Sequence, residues 1–121
     1  TRCMKMFPTM KVDETYMIVS RRNVDKKRIT TDDLVLTTFG ENGDVEYYGD
    51  NKPSVDTPIQ LALYNLFPGI NYMIHGHSYV KDAPFTEDYY PCGDMREFDE
   101  IVEPDIKYFG SNDTSRSATL I

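Results

Sequence analysis

KPSVDTPIQLALYNLFPGINYMIHGHS, residues 52–78, is the stretch whose reading decides the fold of this 121-residue chain. Thr57 can cap a helix. Pro58 suits the first helical position, where its missing N–H is not needed, and Gln60 stands three residues after the cap, where its side chain can reach back. Ile59, Ala62, Leu63, Leu66 and Phe67 recur at i, i+3, i+4, i+7 and i+8 and make a single apolar stripe. Pro68 and Gly69 stop it. The pattern predicts a helix over 58–67, and the apolar run after it predicts a buried strand over 72–77.

Outward from that core, residues 16–20 (YMIVS) read as a buried strand. Residues 21–28 are a polar connection holding five basic residues, Arg21, Arg22, Lys26, Lys27 and Arg28, and charge runs of this kind usually face water. Residues 34–39 (LVLTTF) and 45–48 flank a turn in which Asn42-Gly43 suits positive φ angles, so they predict a hairpin. A second helix is expected over 94–102, with Met95, Phe98 and Val102 inward and Pro104 beyond it. Ala118-Thr119-Leu120-Ile121 reads as the start of another strand. The expectation is one α/β domain over 1–121, of three-layer α/β/α type, with a mixed, largely antiparallel central sheet.

The length suits one domain, and 40% hydrophobic with 27% charged residues excludes a disordered chain. A net charge of -7 repels nucleic acid and anionic membranes, so neither is expected as a partner. No apolar run reaches membrane-spanning length, and the N-terminus is not a signal peptide. Two cysteines, Cys3 and Cys92, make no disulfide framework; with free thiols the chain reads as cytoplasmic, and Cys92 as a buried, inert thiol. The first residue is not Met and the last residues are strand-like with no turn after them, so the sequence reads as a truncated domain.

The two histidines, His75 and His77, flank Gly76. A strand repeats its facing every two residues, so both imidazoles point to one side, as two ligands of one metal ion must. Gly76 puts no side chain on the opposite face. The surface alternative is a pair of solvated histidines at a strand end.

The order of these pieces resembles the class II aldolase/adducin family. A Pro-Ser-x-acid segment, here Pro53-Ser54-Val55-Asp56, opens a helix ending in Pro68-Gly69, and a strand ending in His75-Gly76-His77-Ser78 follows; Asp56 precedes His75 by nineteen residues. Ser20-Arg21-Arg22, Asp33-Leu34-Val35, Pro91-Cys92-Gly93 and Arg96-Glu97 match further family segments, so the resemblance covers about 16–121. It implies that His75 and His77, with a third histidine beyond Ile121, hold Zn2+ or another divalent metal, that Asp56 moves a proton, and that Ser54 contacts substrate. It implies a lyase that breaks a C–C bond of a small hydroxy-carbonyl, sugar-like substrate through a metal-stabilised enediolate, working as a homotetramer in carbohydrate metabolism. Epimerases, dehydratases and decarboxylases share that chemistry, and the adducin branch keeps the fold as a non-catalytic assembly module. This chain departs from the pattern in having Asp56 for the usual Glu, Met17 and Ile18 where sugar-phosphate aldolases have Gly-Asn, and no Ser/Thr-Gly phosphate loop between Asn23 and Thr31. Tyr79, Tyr89 and Tyr90 are the candidates for the family's acid tyrosine. A cupin also uses His-x-His, but it expects a closer glutamate than Glu87 and a later histidine.

Overall fold

The computed structural model describes residues 2–4, 6, 9–77, 88, 90–99, 108–110 and 117–120, the last two stretches as backbone alone. The chain divides into two compact units, Thr1–Leu61 and Ala62–Ile121.

The first unit holds a four-stranded sheet. β1 (Arg2–Met4), β2 (Tyr16–Ser20), β3 (Leu34–Phe39) and β4 (Val45–Tyr48) lie in the order β1-β4-β3-β2. β2 with β3 and β3 with β4 are antiparallel, whereas β1 runs parallel to β4, so the sheet is mixed. The expected hairpin is present. Its turn closes through Gly40 N to Asp44 O (2.8 Å) and Gly43 N to Gly40 O (3.0 Å), and Gly43 alone of the Asn42-Gly43 pair takes a positive φ, +78°. Any L side chain is strained there, which is why the position is glycine.

Register sorts the side chains. Met17 pairs with Thr37, Thr37 with Tyr47 and Val19 with Val35; Met17, Val35, Thr37 and Tyr47 are all buried. The Thr37 hydroxyl, fully enclosed, donates to the Met17 carbonyl at 3.0 Å, so that buried polar group is satisfied. β2 differs from the buried strand expected of it. It is an edge strand, and Ile18 on its other face is 66% exposed.

α1 (Thr57–Leu66) forms where the apolar periodicity placed a helix, one residue earlier. Its buried surface is wider than the stripe. Ile59, Ala62, Leu63 and Phe67 are buried as expected, but Leu61 and Gln60, off the stripe, are buried too, and Leu66 on the stripe is 37% exposed. A single apolar stripe describes a helix covered along one side, and α1 is covered along more than one.

In the second unit, β5 (Ile74–His77) pairs antiparallel with β7 (Ser117–Leu120), which pairs antiparallel with β6 (Tyr108–Gly110), in the order β5-β7-β6. The strand expected at the C-terminus is β7. α2 (Arg96–Asp99) starts two residues later than the expected 94–102 helix, and Met95, expected inward, precedes it and is 37% exposed; Val102 and Pro104 lie outside the described residues. The mixed sheet with few helices fits an α/β domain. Among the described residues no helix is long and apolar enough to cross a membrane.

Candidate functional site

Two segments carry the candidate residues, one in each unit. The first is the lead-in to α1. An isolated antiparallel bridge joins Arg21 to Pro53, with Ser54 N donating to Ser20 O (3.1 Å) and Arg22 N to Lys52 O (2.8 Å). Arg21 is itself anchored. Its backbone N–H donates to Asp33 O at 2.7 Å and its Nε to Asp33 Oδ1 at 2.6 Å. Asp33 also accepts from the Thr30 backbone N–H (2.9 Å) and hydroxyl (3.1 Å). The Arg21 guanidinium first, then the Thr30 donors, hold the Asp33 carboxyl below its usual range. Pro53, fully buried, thus sits on a ladder fixed at both ends, and Ser54 and Asp56 follow it, each half-buried.

The cap of α1 is not where the sequence put it. The Thr57 hydroxyl donates back to Ser54 O (2.6 Å), beside the Thr57 N–H to the same carbonyl (3.2 Å). Asp56 O accepts the first helical bond, from Gln60 N at 3.1 Å, so Asp56 occupies the N-cap and Thr57 is the first helical residue. Thr57 is already inside the helix, so its hydroxyl bonds back to the turn and the cap position falls one residue earlier.

The second segment is β5. His75 is half-buried with its Nε2 enclosed, and His77 is exposed. Their rings lie with centroids 5.6 Å apart and planes at 83°. Zn–N bonds of about 2.0–2.1 Å at a tetrahedral angle would set two imidazole centroids roughly 5 Å apart, close to the spacing of this pair. The strand is less buried than expected: Ile74 is 69% exposed. Gly76 is not there to avoid a clash, since an added Cβ would meet nothing within 4 Å. Among the described residues no group of three His, Cys, Asp or Glu side chains could hold a metal ion.

Of the tyrosine candidates, Tyr79 and Tyr89 lie outside the described residues. Tyr90 is half-buried, with the Arg96 guanidinium 5.5 Å from its ring centroid. Arg96 also grips Asp94, with Nη2 to Oδ2 at 2.6 Å, and this holds the Asp94 carboxyl down at about 2. Cys92, read as a buried thiol, is exposed, as is Cys3, and neither is in a disulfide. Asp88 is exposed; Asp82 and Glu87 lie outside the described residues.

The sequence pattern of the class II aldolase and adducin N-terminal domain matches residues 8–81, which include the bridge, α1 and both histidines. The chain belongs to this family. Its members typically use a divalent metal. Among individual proteins, this class II aldolase/adducin chain is 30% identical over 70 residues to a methylthioribulose-1-phosphate dehydratase of Yersinia enterocolitica, and 29% identical over 70 residues to one of Klebsiella pneumoniae. Each match takes in 58% of this chain, and 32% and 33% of the respective relative. The chain therefore matches about a third of the length of these curated relatives. No solved structure matches it.

One contact was missed by the sequence reading. The basic run was assigned to solvent, yet Lys26 Nζ lies on the Ser20 hydroxyl, next to the bridge. Proximity in sequence to Ser20-Arg21-Arg22 was the only available signal, and it does not say that the chain turns back.

Proposed function

We propose that the full-length protein is a divalent-metal lyase acting on a small hydroxy-carbonyl substrate, with His75 and His77 as two of the metal ligands, Asp56 as the proton carrier and Ser54 as a substrate contact. The observation that carries this reading is the spacing of the two imidazoles on β5, which suits one shared ion. A bound divalent ion, Zn2+ being the first candidate, supplies Lewis-acid stabilisation of the charge that develops on the substrate oxygens.

The chain's own residues have the remaining tasks. Asp56, at the N-cap of α1, is a half-buried carboxylate on a rigid helix end, and such a group can take a proton at the reacting carbon and return it. Ser54 is held by its backbone N–H to Ser20 and its carbonyl to Thr57, so the backbone from which its hydroxyl orients a substrate oxygen is fixed. Two outcomes are open. In an aldol cleavage the hydroxyl one carbon further from the carbonyl loses its proton, the C–C bond breaks to release an aldehyde or ketone, and the enediolate fragment is reprotonated at carbon. In a dehydration the proton next to the carbonyl is removed, the neighbouring C–O bond breaks and the hydroxyl takes up a proton and leaves as water. The first follows from the aldolase reading of the family. The second is favoured by the matched relatives, which are named as dehydratases.

The same proposal includes a three-layer α/β/α domain, a third histidine ligand beyond Ile121 and a homotetramer in the cytoplasm. The experiment is elemental analysis of carefully purified full-length protein, followed by zinc, cobalt and manganese titration. About one ion per chain is expected, lost in His75→Ala and in His77→Ala. A wild-type protein that takes up none of the three metals refutes the catalytic reading and leaves an assembly module. A panel of short hydroxy-ketones and hydroxy-aldehydes, with and without phosphate and including methylthioribulose-1-phosphate, then separates C–C from C–O cleavage by product.

A further inference from the structure

The mixed sheet of the first unit has a second face, opposite the one that carries Met17, Thr37 and Tyr47. Neighbours along a strand alternate sides, and directly paired residues share one. The register therefore sets Arg2, Glu46, Thr38 and Tyr16 in one row on this face, and Met4, Tyr48, Leu36 and Ile18 in the next. The chain before β2 stands beside the first row. The Thr38 hydroxyl donates to Thr15 O at 2.7 Å, the Tyr16 hydroxyl donates to Glu14 Oε2 at 2.9 Å, and Lys11 Nζ pairs with Glu14 Oε1 at 3.2 Å. That segment, the two rows and the turn between β3 and β4 enclose a cleft of about 560 Å³, the size of a small-ligand site.

The cleft has an apolar floor and an acidic rim. Met4, Phe39 and Tyr48 line it and are half-buried. Four carboxylates, Glu14, Glu41, Asp44 and Glu46, stand against two cations, Arg2 and Lys11. Arg2 is held by Glu46, and Lys11 by Glu14, with Glu41 adding to the field on Lys11. Among the described residues no ion pair reaches Glu41 or Asp44, both exposed on the turn. Negative charge is therefore in excess along the cleft. The Tyr48 hydroxyl responds to its surroundings: burial first, then Tyr16, Glu46 and Glu14, holds the phenol above its usual range.

We propose that this cleft binds a small organic cation, a primary ammonium group on an apolar body. The apolar body covers Met4, Phe39 and Tyr48 and removes their surface from water. The ammonium group donates charge-assisted hydrogen bonds to Glu41 and Asp44, and the faces of the tyrosine rings favour a cation over a neutral group. A ligand of the same shape bearing a carboxylate meets like charge and is repelled. The cleft is separate from the lead-in to α1. It lies at the Tyr16 end of β2, whereas the bridge to Pro53 follows the Ser20 end, about 13 Å along the strand. Neither the metal reading nor the roles of Ser54 and Asp56 enter the proposal.

The test is a titration of full-length protein, as purified, with phenethylammonium at constant ionic strength, read by NMR of isotope-labelled methionine methyl groups. Met4 lines the cleft and Met17 lies on the opposite face of the sheet, so the two signals, assigned with Met4→Leu and Met17→Leu, report where the ligand sits. A saturable shift of the Met4 signal is expected, with Met17 unmoved. Phenethyl alcohol should bind about tenfold more weakly, and hydrocinnamate, the carboxylate of the same skeleton, should give no saturable shift. Glu41→Gln and Asp44→Asn should each weaken phenethylammonium binding about threefold, and together about tenfold, with the unfolding midpoint unchanged. No saturable shift at Met4, equal binding of the alcohol, or a double variant that binds as the wild type does overturns the proposal. Phenethylammonium that moves other methionines and leaves Met4 still sits elsewhere, and overturns it as well. Metal uptake is a separate measurement, so failure here leaves the reading of His75 and His77 standing.

Discussion

Replacement of Asp56 separates chemistry from folding because the structure gives that residue two distinct tasks. Its backbone carbonyl takes the first bond of α1, from Gln60 N at 3.1 Å, and no side-chain change removes that bond. Its side chain sits at the N-cap, where Asn and Asp are about equivalent and Ala costs about 0.5–2 kcal/mol. Asp56→Asn also loses the favourable charge at the helix N-terminus, worth about 0.3–1 kcal/mol for an exposed group and screened by salt. The expected stability loss is therefore below about 1 kcal/mol for Asn and about 1–2 kcal/mol for Ala, read by urea unfolding. Turnover should behave differently. If Asp56 moves the proton, both variants should lose roughly a hundredfold or more, equivalent to about 2.7 kcal/mol of barrier, while metal content stays constant. Asp56→Glu restores the family's usual acid one methylene longer and should keep measurable turnover. The assay is kcat and kcat/KM on whichever substrate the panel reveals, with metal content measured on the same samples. Wild-type turnover in Asp56→Asn would refute the proton-transfer role and leave Asp56 as a helix cap.

The remaining expectations address the scaffold and the assembly. Leu61→Ala, at a fully buried position off the apolar stripe, should cost about 2–5 kcal/mol in urea unfolding, whereas Leu66→Ala, at a position 37% exposed, should cost much less; equal losses would contradict the described packing of α1. Asp33→Asn should destabilise the protein near neutral pH by releasing Arg21. Because the folded carboxyl titrates below its usual value, the contribution is present above the ordinary carboxylate range and is lost as pH falls through the lowered folded value. The wild-type and Asp33→Asn unfolding curves should therefore converge below about pH 4; a gap that persists in acid would mean that Asp33 acts by shape alone. Light scattering on full-length protein should give a tetramer, and a monomer at high concentration would remove that expectation while leaving the metal site standing.

Much of the local structure was legible in residue order because it rests on local rules. The hairpin of β3 and β4 follows from two β-prone runs about a turn containing glycine, α1 from apolar residues at helical spacing, and the histidine pair from the two-residue repeat of a strand. What the sequence left open depends on neighbours distant along the chain. The apolar stripe named Leu66 as core and passed over Leu61, because periodicity sees one face, while burial depends on everything packed around the helix. β2 read as buried from its composition, but its place at the sheet edge is set by strand order, which composition does not encode. The cap falls on Asp56 and not on Thr57 because the Asp56 carbonyl takes the first helical bond, from Gln60 N, which leaves Thr57 inside the helix. The bridge between Arg21 and Pro53 joins positions 32 residues apart, and only tertiary pairing could bring the strand end at Ser20 against the lead-in to α1 at Ser54, because nothing in the local pattern of either segment names its partner.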